Sequence, residues 1–151
     1  MNFDVPRDLA QRLADTRNRF ASDVDTWLAT ADLKGNPYQV PVSFLWDGSA
    51  FVISTPHSSP TARNLRANGQ ARMAFGHTRD VVLVRGTATA MTAEDVEKAL
   101  GDAFAEKTGF DPCRLKTPYQ FFVIRPQHVQ AWREANELQG RDLMREGEWL
   151  R

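Results

Sequence analysis

The spacing of apolar residues changes several times along the chain, and each change marks an element. Over residues 7–20, Leu9, Leu13 and Phe20, with Ala10 and Ala14 beside them, recur at helical spacing among Arg, Asp and Gln. This predicts a short amphipathic helix with Pro6 near its start. Residues 27–33 then form a β-rich run ended by the turn cluster Lys34-Gly35-Asn36-Pro37, and a second run covers 38–46, so a hairpin is expected. In that second run Tyr38, Val40, Val42, Phe44 and Trp46 alternate with Gln39, Pro41, Ser43 and Leu45, giving one apolar and one mixed face. Pro41 cannot donate to a ladder, so it implies an edge, a bulge or backbone turned toward something other than a strand.

Asp47-Gly48 accepts the positive φ of a type I′ turn and predicts a tight connection into a third strand over 50–55. Ser58-Ser59-Pro60-Thr61 then places a capping hydroxyl at Ser59 before a proline at the first helical position, opening a helix that ends at Asn68-Gly69. Strands are expected over 72–76 and over 81–91, the latter rich in Val and Thr with a bulge at Gly86. Thr92 predicts the cap of a helix running to about Lys107, Asp111-Pro112-Cys113 a loop, and residues 119–132 a last long strand broken by Pro126. The tail from 138 to 151 carries only a short segment around Trp149.

Helix, three strands, helix, two strands, helix and strand, joined mostly as hairpins, make an α+β chain, mainly β, with an antiparallel sheet. Six short strands lose their edges only if the sheet curls into a small barrel. With 151 residues the chain is expected to be one domain, 1–151. Nineteen Lys and Arg balance nineteen Asp and Glu, so the field that holds a polyanion is missing and no nucleic-acid partner is expected. The longest apolar runs are far short of the ~20 residues that span a bilayer, and Cys113 is alone, so a cytoplasmic protein without membrane or disulfide is expected.

Candidate chemistry is sparse. His57, His77 and His128 lack a second ligand at helix or turn spacing, so no metal site is expected, and Cys113 has no local histidine to activate it. Free N–H groups and hydroxyls of Ser58, Ser59 and Thr61, with Arg63 and Arg66, converge at the start of the second helix, where the dipole favours an anion. The plain alternative there is a capped surface helix. Most aromatic rings belong to a core, but Trp132, close to Arg133 and Arg141, reads as a lid over a planar ligand.

These blocks together resemble the pyridoxamine 5′-phosphate oxidase-like family, the flavin-binding split β-barrels, over about residues 25–150. The most specific stretch is Ser59-Pro60-Thr61-Ala62-Arg63-Asn64-Leu65-Arg66 followed by Gly69, and its Arg-Asn-Leu-Arg sequence resembles the deazaflavin-binding branch. The resemblance implies a six-stranded split barrel with flanking helices, binding FMN or, alternatively, the deazaflavin coenzyme F-420. It lays Val40, Pro41, Val42 and Ser43 along the ring, puts Ser54 and Thr55 by the ribityl chain, and Ser59, Thr61 and Arg63 at the phosphate. Asp80 falls where the oxidases carry a flavin-contacting glutamine. Trp132, in Val129-Gln130-Ala131-Trp132, and Arg141, in Arg141-Asp142-Leu143, correspond to residues that reach the flavin across a homodimer interface.

The chain departs from the oxidases in two places. Pro60-Thr61 replaces an Arg-Lys pair, and Glu134-Ala135-Asn136-Glu137-Leu138 replaces an Arg-x-His element for the substrate phosphate, so pyridoxamine phosphate is not the expected substrate. The expectation is an FMN-dependent oxidoreductase acting on a small organic molecule, with no residue assigned as catalytic acid or base. A non-catalytic flavin- or haem-binding module on the same barrel is the alternative.

Overall fold

The computed structural model describes residues 3–92 and 95–151. Helix α1 (Leu9–Ser22) leads into β1 (Asp25–Ala31), β2 (Pro37–Trp46) and β3 (Phe51–Pro56); α2 (Pro60–Asn68) precedes β4 (Gln70–Phe75) and β5 (Val81–Thr92); α3 (Lys98–Thr108) precedes β6 (Tyr119–Trp132), β7 (Asp142–Arg145) and β8 (Glu148–Trp149). Every pairing is antiparallel. The order β3-β2-β1-β4-β5-β6 closes on itself through β3–β6, making a six-stranded barrel, and β7 and β8 extend the sheet beyond β6.

Aromatic packing explains why the barrel has no room for a ligand inside. Phe20 of α1 lies 4.8–5.0 Å, centroid to centroid, from the rings of Phe51, Trp46 and Phe75, and Phe44 closes on Phe75 at 5.2 Å. With Leu28, Ile53, Met73, Phe122 and Ile124 the phenylalanine rings are fully buried, and Trp46 packs against them partly buried. Tilted and edge-to-face ring pairs each add about 0.5–1.5 kcal/mol beyond area burial. Any binding site is therefore on the barrel's outside.

Several local expectations need correction. The first helix starts at Leu9 with Asp8 as its cap, accepting from the Gln11 N–H, so Pro6 precedes it by three residues. Asp47-Gly48 is not a type I′ turn: Trp46 pairs with Phe51, the loop has four residues, and the Asp47 carboxylate accepts from the Ser49 and Ala50 N–H groups. A carboxylate that caps two amides stabilises the wider loop without asking a non-glycine residue for positive φ. The tightest hairpin is instead Glu146-Gly147 between β7 and β8, with φ of 50° and 79°.

Pro126 does not break β6. It faces Gly86 where the β5–β6 register slips: Arg85 pairs with His128 and Gly86 with Pro126, so the irregularity expected at Gly86 is there but its extra residue is Gln127 of β6, next to the proline. Thr92 accepts from the Asp95 N–H, but this caps a turn; α3 begins at Lys98, and residues 93 and 94 of the expected helix lie outside the described residues.

Candidate functional site

The site begins where β2 leaves β3. β2 pairs with β1 from Pro37 to Ser43, but its register with β3 ends at Phe44 opposite Ile53, and β3 continues against β6 alone. Above Phe44, β2 thus has a neighbour on one side only. The Phe44 N–H donates to Val24 on the β1 side, so by alternation the Pro41 nitrogen faces the open edge, where no ladder bond is lost. Of the three readings open for Pro41, the edge is the one realised.

The gap between the parted strands is a cleft of about 280 Å³. Val40, Pro41, Val42 and Ser43 form one wall, Ser54 and Thr55 the other, and Thr61 of α2 one end. Seven of the twelve candidate residues are thereby brought together. Phe104 and Phe110, together with Tyr119, reach the cleft from α3, the residues after it and β6, and Tyr38 joins them from β2. Sequence reasoning missed these four rings as site residues. Tyr38 was legible, because period two puts it on the face of Val40 and Val42; Phe104, Phe110 and Tyr119 arrive through tertiary packing and leave no local signal.

The α2 end is built as its capping residues require. Ser59 accepts from the Ala62 N–H at 3.1 Å through its hydroxyl and from the Arg63 N–H through its carbonyl, while Thr55 Oγ1 and Ser59 Oγ lie 3.0 Å apart. Pro60 has no N–H, so the Thr61 N–H is the amide left without a partner in the first turn. It carries the positive end of the helix dipole into the cleft. Ser54 Oγ is likewise buried without a hydrogen-bond partner. Two unspent polar groups, a hydroxyl and an amide, thus stand by a wall of apolar and aromatic surface, a combination that fits a planar ring with an anionic tail.

No charged side chain lines the cleft among the described residues. Arg63 turns outward and donates to the Ser58 carbonyl at 2.8 Å, and Ser59 is occupied as a cap. Asp80, Trp132 and Arg141 lie elsewhere in the same chain. Asp80 is buried and paired with Arg19 at 3.1 Å and Arg133 at 3.4 Å. Trp132 faces Val81 across the ladder, with the Arg141 guanidinium 5.7 Å from its ring.

A family model described as pyridoxamine 5′-phosphate oxidase matches residues 20–133. No curated protein matches the sequence significantly. Among solved structures, an F420 reductase is 19% identical with a TM-score of 0.63, covering 75% of this chain and 94% of that one. A FAD-binding protein from Mesorhizobium loti is 18% identical at TM-score 0.65, covering 79% and 90%. A haem-binding protein from Mycobacterium smegmatis is 20% identical at TM-score 0.70, covering 95% of this chain and 60% of that one. At these identities the likeness is one of fold.

Proposed function

Because this chain belongs to the pyridoxamine 5′-phosphate oxidase family, we propose that it is a flavin-dependent oxidoreductase whose cofactor lies in the cleft where β2 and β3 part. The observation that carries the reading is the unpaired edge of Val40–Ser43 facing the orphaned Ser54 hydroxyl and the free Thr61 amide. Solved relatives described as an F420 reductase and a FAD-binding protein support a flavin-type ring. When bound, such a cofactor supplies hydride transfer to or from a small organic substrate.

This chain's own residues do the rest. The β2 edge offers backbone groups to the ring's polar rim, the Ser54 hydroxyl finds the partner it lacks, and the Thr61 N–H meets the phosphate at the head of α2. Tyr38, Phe110 and Tyr119 exclude water from the ring's surroundings. Since no carboxylate, imidazole or ammonium lines the cleft among the described residues, protons exchanged during turnover come from substrate or solvent. FMN is the first expectation and the deazaflavin coenzyme the alternative. The active form is a homodimer, in which Trp132 and Arg141 of the second subunit wall the cleft from the other side.

Haem is a weaker fit, because among the described residues no histidine, cysteine or methionine lines the cleft to ligate iron. The deciding measurement is the absorption spectrum of the protein as purified, followed by titration with FMN and the deazaflavin. Saturable binding of either, with a dissociation constant of about 10 µM or tighter, supports the proposal. Colourless protein that binds neither overturns it.

A further inference from the structure

A second cleft, of about 450 Å³, lies on the outer face of the barrel over β1, β4 and β5. It shares no lining residue with the flavin cleft: Pro37 of β2 borders it, while the next residue, Tyr38, lines the other. Ala29, Ala31 and Pro37 give it low walls, and Gln70, Thr87 and Gln127 stand around it with polar side chains that bond to no other group among the described residues. Neither an aromatic ring nor a carboxylate lines it among those residues.

Two arginines face each other across this cleft. Arg72 of β4 and Arg85 of β5 both line it and are direct cross-strand partners. The Ala88 N–H donates to the Gly69 carbonyl three pairs away, so alternation makes Arg72 and Arg85 a non-hydrogen-bonded pair, the kind whose Cα atoms are only about 4.5 Å apart. Like charges directly opposite one another destabilise a sheet. Elsewhere Arg7, Arg19, Arg79, Arg133 and Arg145 each meet a carboxylate. Arg72 and Arg85 meet no carboxylate, carbonyl or ring among the described residues. His128, which pairs with Arg85 on β6, is bonded to Asp142, and that carboxylate is already shared with Gln130 and Arg145.

The missing counter-charge has a recognisable shape. One guanidinium fork satisfies the two oxygens of a carboxylate, whereas two forks side by side match the oxygens of a phosphate. The rest of the lining narrows the body that carries it. Two amides and a hydroxyl offer hydrogen bonds to a hydroxyl-rich molecule, and no ring is present for a nucleobase to stack on. We infer that this cleft is a second ligand site, taking a small sugar or polyol phosphate with its phosphate between Arg72 and Arg85. The inference stands apart from the flavin reading. Arg72 also borders the hollow beside the exposed Trp27, so an acidic segment of a second copy of the chain is the competing occupant.

Calorimetric titration of the full chain with glucose 6-phosphate, inorganic phosphate and glucose, with sedimentation of the same preparations, tests it. Glucose 6-phosphate is expected to bind saturably with a dissociation constant of about 1 mM or tighter, inorganic phosphate several-fold more weakly, and glucose not at all. Arg72→Gln and Arg85→Gln should each weaken the sugar phosphate at least tenfold. Without ligand, each should also raise the melting temperature, because the like-charge pair is gone. Thr61→Glu, at the head of α2, should leave this binding unchanged. No saturable binding, equal affinity for inorganic phosphate and the ester, affinity unchanged in both arginine variants, or loss in Thr61→Glu alone overturns the assignment. Arginine variants that turn monomeric while the unaltered protein ignores sugar phosphate overturn it in favour of a contact between copies.

Discussion

The Ser54 hydroxyl is desolvated in the free protein and unpartnered, which costs about 1–3 kcal/mol for a buried polar group. Replacing it by alanine should therefore act with opposite signs in two equilibria. Ser54→Ala is expected to raise the melting temperature of the cofactor-free protein and to weaken flavin binding several-fold; calorimetry and a flavin titration on one preparation check both. Loss of stability together with unchanged affinity would remove Ser54 from the site. Ser59→Ala should instead lower stability by about 1 kcal/mol, since its hydroxyl caps the Ala62 N–H. Ser59 and Thr61 were legible because caps are written in a few adjacent residues. Arg12 was not: it stands among the polar positions of α1, yet it is buried and donates to the carbonyls of Ala131, Glu137 and Gly140. Period places an arginine on a face of a helix; it does not tell that a C-terminal segment will cover that face.

At the scale of elements, periodicity and turn chemistry located all three helices and the six barrel strands, because each is patterned by its own residues. The exceptions have one cause. Asp47-Gly48 has the composition of a tight turn, but the Asp47 carboxylate finds two amides in a wider loop, and that local bond outweighs the dipeptide preference. Pro126 reads as a break only while its partner strand is unknown; it sits opposite Gly86 where the ladder slips and Gln127 is the extra residue, so β6 continues through it. The parting of β2 from β3, on which the cleft depends, was legible at one residue, Pro41, and its direction only in the register. Gly86 is also held by space, since a methyl group there would come within 2.7 Å of Ile124 Cγ2 and 2.9 Å of the Arg125 carbonyl. Gly86→Ala should thus cost about 1–3 kcal/mol in a urea melt. An unchanged midpoint would show that β5 and β6 shift freely at the bulge.

In the whole molecule the ends of the chain meet in one ionic cluster. Arg7 makes a two-pronged pair with Glu137 and a third bond to Asp15, and Arg133 donates its N–H to Glu137. Burial alone would push the Glu137 carboxyl up, but the bonds from Arg7 and Arg133 hold it at about 2 against an ordinary 4.5. A lowered folded-state pKa contributes stability above 4.5 that is lost as pH falls toward 2. Urea midpoints should accordingly hold steady from neutrality to about pH 5 and fall below it, and Glu137→Gln should lower the plateau and flatten that fall. An identical acid profile in the variant would assign the loss to other carboxylates. The proposed dimer belongs to this scale too. Trp27 is 49% exposed on β1; Trp27→Asp is expected to leave the fold intact, give monomers in sedimentation and reduce flavin affinity with them. Finally, closure of the barrel waits on β6, which pairs with β5, β3 and β7. During synthesis the first five strands emerge with raw edges at both β3 and β5, and nothing seals them until the ribosome has delivered β6. The nascent chain's window of vulnerability to misassociation is therefore set by the time taken to translate from β5 through β6.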